Sequence, residues 1–176
     1  MNKTAIRSLA TASMLFALGL VLPFVTGQIP EIGNMLLPMH LPVLLCGFVC
    51  GWKYGIATGI LLPLIRSLIF GMPPLYPSAV TMAFELCAYG FITGFLYSHS
   101  KKKTVASVYI SLILAMIIGR IVKGAANAIC YGIINKGYTF AMFISGAFLE
   151  AVPGIIIQLI LIPAILLATK KAKLKS

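Results

Sequence analysis

Residues 55–97 read GIATGILLPLIRSLIFGMPPLYPSAVTMAFELCAYGFITGFLY. Two apolar runs, 55–70 and 79–97, flank the connection GMPPLYPS, whose prolines and glycine break helix and fix loop shape. Each run carries a single charge, Arg66 in the first and Glu85 in the second. A charge in hydrocarbon costs about 2.5 kcal/mol or more, so such groups face a cavity or each other. The stretch therefore reads as two membrane helices folded back on one another. Arg66 lies four residues before the connecting end of its run and Glu85 six residues after it.

The rest of the chain follows the same pattern. Its 176 residues are 60% hydrophobic and only 10% charged, too apolar for a water-soluble domain of this length. Further apolar runs cover 6–25, 41–51, 105–134 and 141–168, set against the 20 or so residues that a span requires. These runs predict an all-α integral membrane protein of six transmembrane helices in one domain over 1–176. The second and third spans are short and separated only by Trp52-Lys53-Tyr54. The first run is long and lacks a small-residue cleavage site, so it reads as a span and not as a signal peptide.

The net charge of +11 forms no stripe for nucleic acid. With six spans and both ends cytoplasmic, ten basic residues fall inside: Lys3, Arg7, Lys53, Lys101, Lys102, Lys103, Lys170, Lys171, Lys173 and Lys175. Only Lys136 falls in an outer loop. Five or seven spans would move a basic cluster outside, against the positive-inside rule. Cys46, Cys50, Cys87 and Cys130 lie within apolar stretches and read as small buried residues, with no disulfide or metal-ligand spacing. Glycines recur every four residues at 47, 51, 55 and 59, and again at 90 and 94. Small residues let helices approach closely in lipid, so the first series predicts a tight hairpin of the second and third spans.

Five ionisable residues lie deep in the spans: Arg66, Glu85, Arg120, Lys123 and Glu150. In the six-span arrangement all five fall in the outer half. Arg120, Lys123 and Asn127 are spaced by three and four and share one helix face, and Glu85 and Tyr89 are one turn apart. Gly146 and Gly154 flank Glu150 by one turn on either side, and Pro153 is expected to bend that helix. Two readings follow. The three bases pair with the two acids to hold the bundle, or the group lines an outward-opening pocket for a small polar ligand. Two acids do not neutralise three bases, so the second reading points to a carboxylate or phosphate on the ligand.

His40 belongs with this set. In PMHLP it sits where the first outer loop re-enters the membrane, with Pro42 in the first helical turn, where its missing N–H costs nothing. Pro30 and Pro38 stiffen the preceding loop, which carries Asn34 and is placed to close over a ligand. The simpler alternative is an interfacial histidine anchoring a helix end. No G-x-x-x-x-G-K-[ST] loop, H-E-x-x-H or G-x-S-x-G motif occurs, so an enzyme is not expected. The chain also lacks the two-fold internal repeat of many secondary transporters. A small binder with no energy source implies a partner.

The blocks LATASMLFALGLVLP, LPMHLPVLLCGFVCGWKYG and PLIRSLIFGMPPLYPSAVTMAFELCAYGFITG, with the basic C-terminal tail, span essentially the whole chain. They resemble the substrate-binding S-components of energy-coupling-factor (ECF) vitamin transporters. The resemblance implies a six-helix bundle with a substrate pocket near the outer face, covered by the first loop. It implies assembly with a transmembrane coupling subunit and two cytoplasmic ATPases, which use the ATP, this chain needing no cofactor of its own. In that family the S-component topples in the membrane to deliver substrate inward, and a small-x-x-x-small motif on the first helix contacts the coupling subunit. Here the matching pairs are Ser8 with Ala12 and Ser13 with Ala17, serine standing where alanine is usual. Similar members serve pantothenate, folate, cobalamin, pyridoxine or thiamine precursors. The positive pocket mildly favours an acidic vitamin such as pantothenate or folate. The expected binding set comes from the placement above: Asn34, His40, Arg66, Glu85, Tyr89, Arg120, Lys123, Asn127 and Glu150. A stand-alone proton-coupled carrier of a small organic anion, with Glu85 or Glu150 as proton carrier, is the competing reading.

Overall fold

The computed structural model describes residues 3–25, 35–135, 137–146 and 151–175. Among them are α1 (Lys3–Val25), α2 (His40–Cys50), α3 (Trp52–Phe70), α4 (Val80–His99), α5 (Val105–Ile133), α6 (Phe140–Ile144) and α7 (Val152–Lys175). A π turn, Leu75–Ala79, leads into α4. Five of these segments are long and apolar enough to cross a membrane: α1, α3, the π turn with α4, α5 and α7. The second span of the sequence reading is the shorter α2, 11 residues and about 16 Å, against a hydrocarbon core of about 30 Å. Among the described residues the fold is all-helical, with five spans by length where the sequence predicts six.

Side-chain contacts fix the helix directions. Cys46 Sγ meets Thr58 Oγ1 at 3.3 Å, so α2 and α3 form an antiparallel hairpin. Residues 52–54, expected to separate them, are already helix. Gly51 alone makes the turn, at φ 93°, a conformation that glycine adopts without a Cβ penalty. α1 runs alongside α3 in the same direction. Tyr54 OH donates to the Ala5 carbonyl near one end, and the rings of Phe24 and Phe70 meet edge-on at 5.0 Å near the other. α4 opposes α3, because Gly55 faces Gly90 and Gly59 faces Leu86. α5 in turn opposes α4, with Gly119 against the Tyr89 ring and Tyr76 OH donating to the Cys130 carbonyl at 2.8 Å. Gly154 of α7 abuts the backbone of Met35 and Leu36 at one end of the bundle. At the other, Pro163 and Leu166 share a cleft of about 300 Å3 with Tyr97, Lys103 and Thr104. Thus α1, α3 and α5 run one way and α2, α4 and α7 the other. α1 starts and α7 finishes at the same end.

The glycine series packs differently from the hairpin expected. It seats α2 and α3 on α4. A Cβ on Gly55 would lie 2.5 Å from Gly90 O, one on Gly90 2.2 Å from Gly55 O, and one on Gly59 2.4 Å from Leu86 O. Gly47 of α2 meets Thr93 and Gly90 in the same way. Around this seam the core closes with Leu44, Leu62, Leu86, Leu112 and Ile162, all fully buried.

The sixth predicted span, 141–168, is divided. α6 is a five-residue helix capped by Thr139, whose hydroxyl accepts from Met142 N–H at 3.3 Å. α7 starts afresh at Val152, so Pro153 sits in a first turn and bends nothing. Thr104 caps α5 in the same manner, accepting from Ser107 N–H at 3.3 Å.

Candidate functional site

α4 places Glu85 and Tyr89 one turn apart, both within the bundle. Glu85 is 2% exposed and Tyr89 fully buried. Tyr89 OH donates to Glu85 Oε1 at 3.1 Å. Glu85 Oε2 faces Lys123 Nζ at 2.9 Å and His40 Nε2 at 3.2 Å. The Lys123 contact is an ion pair at hydrogen-bonding distance, and the His40 contact is one only when the imidazole is protonated. Glu85 lies about 15 Å along the helical segment from Leu75 and about 21 Å from its His99 end. The cluster thus lies near the middle of that segment.

Local structure explains each position. Tyr89 has room because α5 carries glycine opposite it: a Cβ on Gly119 would stand 2.1 Å from the Tyr89 ring. His40 meets that ring edge-on with centroids 5.4 Å apart. As the first residue of a helix only about 16 Å long, His40 starts well inside the bundle. It is 1% exposed and so is no interfacial anchor. Its Nδ1 has no hydrogen-bond partner among the described residues.

The α5 face expected from spacing forms a column. Arg120 is buried, with Nη1 donating to the Met116 carbonyl at 3.3 Å. Lys123 is a quarter exposed and forms the open edge of the cluster. Asn127, one turn on, donates from Nδ2 to Tyr138 OH at 3.4 Å, and Tyr138 stacks on Tyr131.

Arg66 is not in this group. Its guanidinium donates to the Leu20 carbonyl and lies 5.0 Å from the Phe24 ring and 5.2 Å from the Phe70 ring. It therefore ties α1 to α3 instead of pairing with Glu85. Asn34, Glu150 and Lys136 lie outside the described residues. The arrangement offers a carboxylate, a cation, an imidazole and a phenol to one polar ligand. Among the described residues no three His, Cys, Asp or Glu side chains gather to hold a metal ion.

The family model for the substrate-specific component of ECF transporters matches residues 7–166. The chain belongs to that family. No curated protein and no solved structure matches it. An ECF S-component is a transport subunit and not an enzyme, a multi-pass membrane protein whose family implies association with an energising module.

Two features of the S-component extend the site. On α1, Ala12 is turned inward at 6% exposure and Ser8 is half-buried, whereas Ser13 and Ala17 are exposed beside Met14 and Leu18. Of the two small-residue pairs, only Ser13 with Ala17 faces outward. The second feature escaped the sequence reading. Gln158 on α7 is 1% exposed, and neither amide atom has a hydrogen-bond partner among the described residues. A lone glutamine in GIIIQLILIPA (154–164) was the available signal.

Proposed function

We propose that this S-component captures a vitamin or vitamin precursor in the layer formed by His40, Glu85, Tyr89 and Lys123, and passes it inward with a coupling subunit and two ATPases. The observation that carries the reading is the buried cluster itself, with Glu85 Oε2 2.9 Å from Lys123 Nζ and 3.2 Å from His40 Nε2, and Lys123 a quarter exposed at its edge. Lys123 and Arg120 beside a single described acid favour a carboxylate or phosphate on the substrate. Arg120 and Asn127 supply the wall of the pocket along α5, with Asn34 and Glu150 as further contacts. Arg66 has its role in fixing α1. The test is the mass of the small molecule that co-purifies with the full-length protein. Lys123→Met should abolish co-purification and lower the melting temperature, because Glu85 stays buried without its cation. Retention of the molecule at wild-type occupancy by this variant would place the substrate elsewhere.

The same reading sets α2 as a sixth, short crossing, with both ends of the chain cytoplasmic. Its support is the ten-to-one division of loop basic residues and the common end at which α1 starts and α7 finishes. A cysteine introduced beside Lys102 is expected to resist an impermeant thiol reagent added from outside. Rapid labelling in intact cells would reverse the orientation.

For the partner, the outward face of α1 is the docking surface. Ala17→Trp should leave ligand co-purification intact and abolish ATP-dependent uptake, because a large ring prevents close backbone approach. Ala12→Trp, directed inward, should instead lower melting temperature. Normal uptake with Ala17→Trp removes this face from the contact.

A further inference from the structure

We infer that Gln158 is the substrate-selecting residue of this S-component, recognising a ligand edge on which a hydrogen-bond donor stands beside an acceptor. The inference rests on the substrate layer proposed above and assigns it a specificity-determining group.

Buried polar groups in proteins are nearly always hydrogen-bonded. Several buried polar groups of this bundle follow the rule. Thr93 donates to the Tyr89 carbonyl at 2.7 Å, Thr58 pairs with Cys46, and Arg66 is held by the Leu20 carbonyl. Gln158 departs from it at both Oε1 and Nε2. Its place in the fold shows what it faces. Gly154, Gln158 and Ile162 form a buried stripe on α7, continued by Ala151 just ahead of the helix. Gly154 packs on the Met35–Leu36 backbone, the segment that leads into His40. One turn further along the same stripe stands Gln158. α7 packs on α2 and α5, the helices that carry His40 and Lys123. The amide thus enters the bundle from a third helix, one packed on those that carry His40 and Lys123.

A primary amide presents C=O and N–H side by side, and its complement is a ligand edge with the two reversed. Glutamine reads adenine through such a pair of bonds. Lactams and aminated ring nitrogens carry this edge. An open-chain trans amide does not, because its N–H and C=O point to opposite sides.

The experiment uses the full-length protein in detergent, with thiamine and folate as probes that carry the edge and acetate, which has no donor, as one that does not. Gln158→Leu replaces an unpaired buried amide with an apolar group of similar size, so the ligand-free variant should melt at or above the wild-type temperature. Its affinity for the edge-bearing probe should fall roughly ten- to hundred-fold. Lys123→Met separates this inference from the reading beneath it. Weakened binding in both variants supports both. Weakened binding in Lys123→Met with wild-type binding in Gln158→Leu overturns the role of Gln158 alone. Wild-type binding in both overturns the substrate layer. A lower melting temperature in Gln158→Leu makes the glutamine structural, and binding of acetate with neither edge-bearing probe bound overturns the edge that it reads.

Discussion

Glu85→Ala should destabilise the S-component by about 3–5 kcal/mol, the usual consequence of removing one partner from a buried ion pair. Three groups lose their partner at once: Tyr89 OH, His40 Nε2 and Lys123 Nζ. Lys123 is a quarter exposed and regains some hydration, which places the loss toward the lower figure. His40 and Tyr89 are fully enclosed and have no such recourse. Glu85→Gln should be milder, since the amide oxygen still accepts from Tyr89. The double variant Glu85→Gln with Lys123→Met is the decisive one. With both charges gone, nothing is left ionised and unpaired, so melting temperature should recover relative to Glu85→Gln. Ligand binding should stay lost if the cluster is the substrate site. A double variant that binds as the wild type does would reduce the cluster to scaffold. Wild-type melting in Glu85→Ala would mean that the carboxylate is not buried as described. A proton-coupled carrier separates at the same residue. It would lose concentrative uptake in Glu85→Gln, whereas ATP-driven uptake should keep its energisation.

How far the site was legible depends on which physical signal each residue leaves. Glu85 with Tyr89, and Arg120 with Lys123 and Asn127, follow helical periodicity inside single elements, and the structure keeps each set on one face. Depth was legible as well, because a charge in an apolar run must be buried or paired. Partner choice was not. Arg66 is a charge in the same layer of the sequence reading, yet its partners are a backbone carbonyl and two rings, one of them Phe24 on α1. Only the rotation of α3 about its axis decides that, and a nearly all-apolar helix leaves little sign of its rotation. Gln158 was missed for the opposite reason: one amide hardly changes the hydropathy of a run such as 154–164.

Helix limits failed where hydropathy and backbone disagree. The run 141–168 is interrupted only by Ser145, Glu150 and Gln158, yet Ala151 stands as a turn ahead of α7. Likewise α2 and α3 are divided by one glycine at positive φ, not by the polar tripeptide that follows it. In lipid an apolar side chain says little about whether its backbone is helical, so glycine, proline and threonine caps carry that information. Gly51, Pro153 and Thr139 are the residues that mark these boundaries.

The glycine seam gives the second large effect. Gly90→Leu should cost at least the 1–3 kcal/mol typical of overpacking, and its sign leaves little room for relief. A Cβ at Gly90 would meet Gly55 O at 2.2 Å and Gly55 C at 2.3 Å. Those atoms are backbone, so no rotamer change clears them, and α3 and α4 must separate along the seam. Gly55→Leu should match it, because the contact is mutual. Gly132→Leu is the control, since a Cβ there meets nothing within 4 Å. The seam also bears on function. Gly90 follows Tyr89 directly and lies five residues after Glu85, so a displaced α4 carries the carboxylate away from Lys123 and His40. Loss of ligand co-purification should therefore accompany the lower melting temperature in both seam variants and in neither respect affect Gly132→Leu. Combining Gly55→Leu with Gly90→Leu should add less than the sum of the two, because the first substitution already opens the space that the second needs. Full additivity, or wild-type melting in Gly90→Leu, would show that the two helices are not in backbone contact.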